Sequence, residues 1–257
     1  MIKIATWNVN SIRARKERML AWLDDRQPDV ACLQETKVTD DAFPEQVIRD
    51  LGYEVVFHGQ GGYNGVAILS RLPLEHPARG LDDGDDDAQA RLVAATVKGV
   101  RVISVYVPNG RAPGTDKYDY KLAWLSRLRR YLEARFDPDD PVVVAGDFNV
   151  APDDRDVYDP AKWEGKILCS EPERRGLSDV SDWGLVDSFR LHQEGGGYYS
   201  WWDYRMLSFP KNRGLRIDHV YVTRPLARAC TGAYIDREAR KGKGPSDHAP
   251  VFAELDL

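Results

Sequence analysis

The sequence has few cysteines and no long apolar run, and each shortage excludes a class of protein. Its three cysteines, Cys32, Cys169 and Cys230, are odd in number and widely spaced, which indicates reduced thiols rather than a disulfide framework or a zinc site. No apolar run approaches the ~20 residues of a transmembrane helix, and the amino-terminal segment has no signal-like apolar region. We therefore expect a cytoplasmic protein.

The common nucleophile and nucleotide-binding motifs are also missing. There is no G-x-S-x-G elbow and no Walker A loop, and the glycine-rich segment GQGGYN at 59–64 lacks the last glycine of the dinucleotide fingerprint. The side chains that remain for chemistry are acids, amides and a histidine.

The composition and the order of the predicted elements indicate one α/β domain that spans residues 1–257. Hydrophobic residues make up 42% and charged residues 30% of the 257 residues, which is typical of a globular protein with a sizeable core. Strands and helices alternate irregularly along the chain, so we expect a four-layer α/β sandwich in which two packed mixed β-sheets are flanked by helices. Helices are predicted at 13–25, 43–51, 121–136 and 176–183, and the closing strands at 198–204, 217–223, 229–235 and 251–255.

The segment PVVVAGDFN at 141–149 has the features of a buried strand that ends in a functional site. Four small apolar residues predict a strand buried on both faces, and the period of two then directs Asp147 and Asn149 to the same side. Gly146 permits a close approach of backbone or ligand. The alternative is an Asp and an Asn that only open a turn before Pro152.

Other acids and amides also stand at strand boundaries. Such oxygen ligands suit Mg²⁺ or Mn²⁺, and their chemistry suits a phosphodiester substrate. His248 lies in a polar, turn-rich segment before a strand, although a surface histidine without a role is the ordinary alternative. The full set is Glu35, Asp147, Asp218, Asp247, Asn8, Asn149, Tyr106 and His248.

Charge is unevenly distributed along the chain. The formal net charge is −5, but residues 205–243 hold ten Lys/Arg against three Asp/Glu, so this segment carries +7 and the remainder −12. The basic segment predicts a surface that faces phosphates, with a solvated face as the alternative. A contrasting acidic run lacks the ligand spacing of an EF-hand and is predicted to be solvated rather than a calcium site; it comprises Asp82, Asp83, Asp85, Asp86 and Asp87.

Six motifs occur in the order found in the exonuclease III family of apurinic/apyrimidinic endonucleases, and the chain closely resembles that family. They are WNVN at 7–10, LQETK at 33–37, GDFN at 146–149, SWWDYR at 200–205, NRGLRID at 212–218 and SDHAP at 246–250. GDFN and SDHAP alone would indicate only the wider endonuclease/exonuclease/phosphatase superfamily. The motifs at 200–205 and 212–218 favour the DNA-repair branch.

The resemblance implies the catalytic residues. Asp147 matches the residue that orients or deprotonates the attacking water, and Asn149 matches the amide beside it. His248 matches the histidine at the scissile phosphate, and Asp218 the carboxylate that holds this histidine. Tyr106 matches a tyrosine at the phosphate.

The resemblance also implies a divalent metal, Mg²⁺ with Mn²⁺ as an alternative. Glu35 matches the direct metal ligand, Asn8 and Asn10 lie near the same ion, and Asp247 matches an acid at a second metal position. The predicted metal-site residues are Glu35, Asn8, Asn10, Asp247, Asp147 and Asn149.

Contacts with DNA are predicted for ten residues around the basic segment and the aromatic motif. The resemblance implies that an abasic-sugar pocket is walled at the positions of Trp201, Trp202 and Leu215. Because adjacent strand side chains point to opposite faces, we expect Trp202 to face this pocket and Trp201 to lie in the core. The predicted DNA-binding residues are Asn109, Trp202, Asn212, Leu215, Arg205, Arg213, Arg216, Arg240, Lys241 and Lys243.

We therefore expect a metal-dependent DNA repair phosphodiesterase that incises double-stranded DNA 5′ of abasic sites. Exonuclease activity in the 3′–5′ direction and 3′-phosphatase activity are expected beside it, and a monomer suffices for such a site. One alternative is a superfamily phosphatase that acts on lipid or inositol phosphates. The other is an inactive DNA-binding module, which the intact set of acids disfavours.

Overall fold

Two six-stranded mixed β-sheets pack face to face at the centre of the molecule. The computed structural model of the protein describes residues 1–85 and 87–257. The first sheet contains β1 (Ile2–Asn8), β2 (Val30–Gln34), β3 (Glu54–His58), β4 (Val66–Ser70), β11 (Cys230–Ile235) and β12 (Val251–Leu255). The second contains β5 (Glu75–Arg79), β6 (Leu92–Val97), β7 (Val100–Tyr106), β8 (Val142–Asp147), β9 (Leu185–Asp187) and β10 (Asp218–Thr223).

The strand order brings the predicted site residues to one end of the sandwich. The first sheet has the order β11-β12-β1-β2-β4-β3 and the second β5-β6-β7-β8-β10-β9. β1 is parallel to β2 and antiparallel to β12, whereas β8 is parallel to β7 and antiparallel to β10. The carboxyl ends of β1, β2, β7 and β8 therefore lie at the same end as the amino ends of β10 and β12.

Helices cover the outer faces of both sheets and complete the predicted four layers. One apolar cluster fills the space between the sheets, and two more fill the spaces between each sheet and its helices. Met19, Trp22 and Leu23 pack on the first sheet, and Trp124 and Leu125 on the second. The helices are α1 (Lys16–Arg26), α2 (Glu45–Arg49), α3 (Asp116–Arg135), α4 (Pro160–Trp163), α5 (Glu171–Ser181) and α6 (Arg224–Ala229).

The central strand β8 is buried along its whole length, as its run of small apolar residues predicted. Gly146 is required there, since a Cβ at this position would lie 1.9 Å from the carbonyl oxygen of Val105 on β7. The close approach of β7 and β8 sets Tyr106 beside Asp147 in register.

Several predicted boundaries were wrong. Residues 198–204 do not form a strand, because Trp201 makes only isolated bridges, to Leu215 and to His248. The aromatic side chains of this segment pack into separate clusters instead of extending a ladder. Helix α3 starts at Asp116, five residues before the predicted start, because the Thr115 side chain caps it by accepting a hydrogen bond from Tyr118 N.

The acidic loop is partly folded onto a helix rather than fully solvated. Arg127 of α3 forms ion pairs with Asp83 and Asp87 at 2.7 Å and with Asp85 at 3.2 Å. The side chains of Asp83 and Asp87 are only 20% and 14% exposed, so the prediction of a solvated run was wrong for these two. Asp86 lies outside the described residues.

Two further predictions concern cysteines and membranes. Cys32, Cys169 and Cys230 are free thiols, and the first two are buried. Within residues 1–85 and 87–257, no helix combines the length and the apolar character that a membrane crossing requires.

Candidate active site

The strand ends at one end of the sandwich carry most of the predicted site. Asn8 ends β1 and Asp147 ends β8, while Tyr106 ends β7 and Asp218 begins β10. Tyr106, Asp147 and Asp218 are neighbours in register across the second sheet. Glu35 follows β2, and His248 precedes β12, so both sheets contribute side chains to one cleft.

Asn8 links the acids of the two sheets. Its amide Nδ2 donates to Glu35 Oε1 at 2.8 Å and to Asp147 Oδ2 at 2.9 Å, while its Oδ1 accepts from Asn10 N at 2.9 Å. Asn8 therefore presents a donor to the acids and holds them in place. It lies at the predicted metal site, and its side-chain oxygen accepts one hydrogen bond, from Asn10 N, which leaves one lone pair.

Tyr106 contacts the same acid from the second sheet. Its hydroxyl donates to Glu35 Oε1 at 2.9 Å, and the guanidinium of Arg91 lies 4.8 Å from its ring centroid. Burial and the neighbouring carboxylates of Glu35 and Asp147 raise the pKa of Tyr106 well above its usual value. Tyr106 is therefore a neutral hydrogen-bond donor at neutral pH.

Asp147 and Asn149 converge as predicted, but through a turn after β8 and not through the strand period. Asn149 is in the left-handed region at φ 51°, and its backbone N donates to Asp147 Oδ1 at 2.9 Å while its Nδ2 lies 3.2 Å from Asp147 Oδ2. Burial, and then the negative charge of Asp218, raise the pKa of Asp147 to about 7. A carboxyl group with that pKa can accept a proton near neutral pH.

His248 and Asp218 form a buried pair. His248 Nδ1 lies 2.8 Å from Asp218 Oδ2, and its Nε2 lies 3.9 Å from Asp147 Oδ2. Burial alone would lower the pKa of His248, but the carboxylates of Asp218 and Asp147 outweigh it and raise that pKa to about 10. An imidazolium therefore faces the cleft through Nε2.

Asp247 links Asn10 to Trp201. Its Oδ1 accepts from Asn10 Nδ2 at 2.9 Å, and its Oδ2 accepts from Trp201 Nε1 at 3.0 Å. Burial tends to raise the pKa of Asp247, but the positive charge of His248 and these two donors lower it. Asp247 is thus an anion held next to the histidine.

The donor set at Glu35 fits a divalent cation. The ammonium of Lys37 lies 2.6 Å from Glu35 Oε2 and 2.7 Å from Asn10 Oδ1, so two oxygen ligands already enclose a positive charge. The Glu35 side chain is 17% exposed, which leaves it open to the cleft. Oxygen ligands of this kind are those that Mg²⁺ and Mn²⁺ prefer.

A second group of possible ligands lies nearby. Ligand atoms of Asp147, Asp218 and His248 lie within 4.8 Å of one another. Asp218 and His248 are bonded to each other and buried, so an ion there would displace their hydrogen bond. Glu35 is therefore the more accessible first ligand, and Asp147, Asp218 and His248 form a group that could hold a metal ion.

Six of the predicted DNA-binding residues lie on the surface around this cleft. Asn109 borders it directly, because its Nδ2 donates to Asn149 Oδ1 at 3.0 Å. Arg205 has an 84% exposed side chain that also contacts Asp203, and Lys241 has a 54% exposed side chain that pairs with Glu238. The six exposed residues are Asn109, Arg205, Asn212, Arg213, Lys241 and Lys243.

The assignment of the two tryptophans was reversed. Trp202 is fully buried against Tyr199, Phe209 and Ala249, whereas Trp201 is partly exposed and bonds to the active-site acid Asp247. The two side chains do point to opposite sides, but the sequence pattern did not say which side faces the cleft. Trp202 is thus excluded as a surface contact to DNA.

Three further predicted DNA contacts were wrong for the same reason, burial. Leu215 is fully buried in a cluster with Val157 and Ile217. Arg216 is fully buried in ion pairs with two acids. Arg240 is only 7% exposed, and its guanidinium packs over the rings of Tyr204 and Phe209.

A groove continues from Trp201 away from the catalytic acids. It has a volume of about 370 Å³ and combines aromatic walls with cationic residues at its rim. Tyr158 and Trp163 contribute aromatic rings, and Lys162, Arg205 and Arg213 contribute positive charge. The lining also contains Asp203, Met206 and Ser208.

Four residues of the site were not predicted from sequence. Lys37 and Trp201 lie inside the motifs at 33–37 and 200–205, but Lys37 was given no role and Trp201 was assigned to the core. Arg91 lies outside every motif, and only the fold places it against Tyr106. Ser200 begins the aromatic motif, and its hydroxyl donates to Asp218 Oδ2 at 2.6 Å.

Comparisons with known proteins agree with this geometry. A family model described as the Endonuclease/Exonuclease/phosphatase family matches residues 5–248. Exodeoxyribonuclease III of Haemophilus influenzae is 37% identical over 266 residues, which cover 99% of this chain and 100% of that protein. Two solved structures with TM-scores of 0.96 match over 100% of both chains: the 3′ phosphatase NExo from Neisseria bound to a product DNA hairpin, 43% identical, and an AP endonuclease from Archaeoglobus fulgidus, 41% identical.

The extent of these matches decides the family. The family model covers most of the chain, and the relative from Haemophilus influenzae matches it from end to end. The predicted resemblance and the predicted sandwich are therefore both confirmed. The chain belongs to the exonuclease III branch of the endonuclease/exonuclease/phosphatase family, whose members are metal-dependent nucleases.

Proposed function

We propose that the protein is a Mg²⁺-dependent DNA repair nuclease that incises the backbone 5′ of abasic sites and also removes nucleotides and phosphate from 3′ ends. The observation that carries this proposal is the convergence of Asp147, His248 and Glu35 in one cleft, with Nε2 of the histidine 3.9 Å from the aspartate. A base, a phosphate ligand and a metal ligand are thus within reach of one phosphodiester.

Asp147 is the proposed base. A water molecule beside its carboxylate attacks phosphorus as its proton passes to Asp147, whose pKa of about 7 suits this transfer. The bond from phosphorus to the 3′ oxygen breaks, and the leaving oxygen takes a proton from solvent. Asn149 holds both oxygens of Asp147 and so fixes the direction of the remaining lone pairs.

His248 and Tyr106 are the proposed phosphate donors. The imidazolium Nε2 faces the cleft because Nδ1 is bonded to Asp218. It can donate to a non-bridging oxygen as negative charge develops there. The neutral Tyr106 hydroxyl donates its one proton to Glu35 Oε1, so it would reach the phosphate by turning that proton away from the carboxylate. Asp218 holds the imidazole and is not itself in contact with the substrate.

The metal site is assigned to Glu35, with Asn10 and Asp247 nearby. When bound, a divalent cation polarises the phosphate and stabilises the leaving oxygen. Lys37 contacts both Glu35 and Asn10, so its ammonium must share these oxygens with the cation or move aside. Mg²⁺ is proposed on the oxygen-only ligand set, and Mn²⁺ is the alternative.

The groove beside Trp201 is the proposed place for the abasic sugar. A deoxyribose without its base is small and is extruded from a duplex at low cost. Aromatic walls from Trp201 and Trp163 suit its apolar ring, and Arg205 and Arg213 at the rim suit the flanking phosphates. The similarity to an AP endonuclease and to a 3′ phosphatase bound to product DNA supports both substrate types.

A nicking assay tests the proposal against its two rivals. A duplex with one abasic analogue is incubated with Mg²⁺, and with excess EDTA as the control. We expect a single cut 5′ of the analogue that EDTA abolishes. Binding without cutting would support an inactive DNA-binding module, and phosphate release from inositol phosphates without cutting would support the phosphatase alternative. A monomeric state and a cytoplasmic location stay predictions.

A further inference from the structure

Ser200 lies between the two segments that carry Asp218 and His248. Ser200 is fully buried. Its backbone N donates to Leu215 O at 3.0 Å, and its carbonyl oxygen accepts from Ala249 N at 2.7 Å. The serine is thus joined by its backbone to the segment before Asp218 and to the residue after His248.

The hydrogen bonds of the Ser200 hydroxyl leave only one direction for its proton. Oγ accepts from Ile217 N at 3.1 Å and from Asp218 N at 3.0 Å. A serine hydroxyl has two lone pairs and one proton, so the two backbone donors occupy both lone pairs. The proton therefore points to Asp218 Oδ2, 2.6 Å away.

The same carboxylate oxygen receives the histidine. Asp218 Oδ2 lies 2.8 Å from His248 Nδ1, and Asp218 and His248 are both buried. Because Ser200 binds both the backbone N and the carboxylate of Asp218, it fixes the rotation of that side chain. The plane of the carboxylate in turn fixes the imidazole, whose Nε2 is then aimed into the cleft.

We propose that Ser200 is a positioning residue of the reaction, and that its hydroxyl acts on the phosphate only through Asp218 and His248. This inference rests on the proposed function. A purely structural serine would satisfy Ile217 N and Asp218 N but would have no effect specific to catalysis. The two roles predict different effects of removing the Ser200 hydroxyl on the cleavage rate when the Asp218 carboxylate is already absent.

The test is a double-mutant cycle in which the rate constant is measured in single-turnover conditions with saturating enzyme, and KM is measured separately in the steady state. Wild type, Ser200→Ala, Asp218→Ala and the double variant are compared on the abasic duplex. We expect Ser200→Ala to lower the rate constant by about 10–100-fold, the range seen for residues that orient a reactive group, with KM changed less than about threefold. In the Asp218→Ala background the same substitution should cost less than about twofold.

Ser188→Ala is the matched control. Ser188 is also fully buried, and its Oγ donates to Val220 O of β10 at 2.7 Å, so its loss removes one buried hydrogen bond to the same strand. Because Ser200 Oγ makes three hydrogen bonds, we expect Ser188→Ala to lower the melting temperature less than Ser200→Ala does, and to keep the wild-type rate. Ser200→Thr keeps the hydroxyl and should recover most of the activity, and it carries the test if Ser200→Ala does not fold.

Three results would overturn the inference. They are equal rate losses in Ser200→Ala and Ser188→Ala, a full multiplicative loss in the double variant, and a Ser200→Ala enzyme as fast as wild type. If instead the wild-type protein does not cut the abasic duplex, it is the proposed function that fails.

Discussion

His248 Nε2 lies 3.9 Å from Asp147 Oδ2, at the point where the two sheets of the sandwich meet. One group has its pKa raised to about 10 and the other to about 7, so a proton donor and a proton acceptor coexist near neutral pH. Asp147 ends a strand of the second sheet and His248 precedes a strand of the first, so the distance between them depends on how the two sheets pack.

Glu35→Gln should weaken the metal site. The amide removes the negative charge that faces Lys37 and the cleft, so a divalent cation loses the charged ligand that is proposed to bind it first. We expect the Mg²⁺ concentration for half-maximal cleavage to rise at least about tenfold. Glu17→Gln, with an 86% exposed side chain on α1, is the control and should leave the Mg²⁺ titration unchanged. A normal titration in Glu35→Gln would remove Glu35 from the metal site.

His219 should make stability depend on pH. Its Nδ1 contacts Arg216 Nη1 at 3.0 Å and its Nε2 contacts Val150 O at 3.1 Å. Burial, and then the charge of Arg216, lower the pKa of His219 to about 4, whereas an unfolded histidine has a pKa of about 6.5. The unfolded state therefore binds the extra proton first, so stability is full above about pH 6.5 and falls as the pH drops towards 4.

The size of this effect is at most about 3–4 kcal/mol, since one pKa unit corresponds to about 1.4 kcal/mol. In His219→Gln, urea unfolding between pH 4 and 6.5 should show a flatter dependence of the free energy of unfolding on pH. The exposed His76→Gln variant should follow wild type. An unchanged slope in His219→Gln would mean that another group causes the acid sensitivity.

The two adjacent tryptophans should respond differently to alanine. Trp201→Ala removes the wall beside Asp247, so we expect abasic incision to fall much more than 3′-phosphate removal. Trp202→Ala leaves a cavity in a fully buried site and should lower the free energy of unfolding by about 3–5 kcal/mol. Both activities and the melting temperature are measured for each variant. The opposite pattern would restore Trp202 as the pocket residue.

Lys241 and Lys243 should contribute to the salt dependence of DNA binding. Each phosphate contact changes the slope of log affinity against log salt by about 0.9. Replacing both with glutamine should flatten the slope by up to about 1.8 if both contact phosphate. Arg71 and Lys98 follow β4 and β6 at the opposite end of the sandwich, so their double glutamine variant is the control. Equal slopes in the two variants would make the basic loop a solvated face.

The sequence predicted where the candidate acids lie because strands and strand ends are local signals. β8 and its terminal Asp147 follow from a run of small apolar residues that has few other conformations, and Asn149 lies two residues beyond this strand. The pairing of Asp218 with His248 came from the family resemblance, and the structure brings them to 2.8 Å.

Contacts that depend on burial could not be predicted in the same way. Arg216 belongs by sequence to a basic segment, yet Asp156 and Asp187 from distant parts of the chain enclose it. The charge count cannot show such partners, so a buried arginine was counted as a surface arginine. Trp201 and Trp202 differ only in which side of an irregular segment they occupy, and this is set by Asp247 and Phe209.

The most direct test of the account is the single-turnover cleavage of an abasic duplex by Asp147→Asn. An amide cannot accept the proton of the attacking water, so the account predicts a rate at least about a thousandfold below wild type, with DNA binding unchanged or tighter. Asp24→Asn, an exposed residue on α1, should cleave like wild type. A rate for Asp147→Asn within about tenfold of wild type would contradict the assignment of Asp147 as the base.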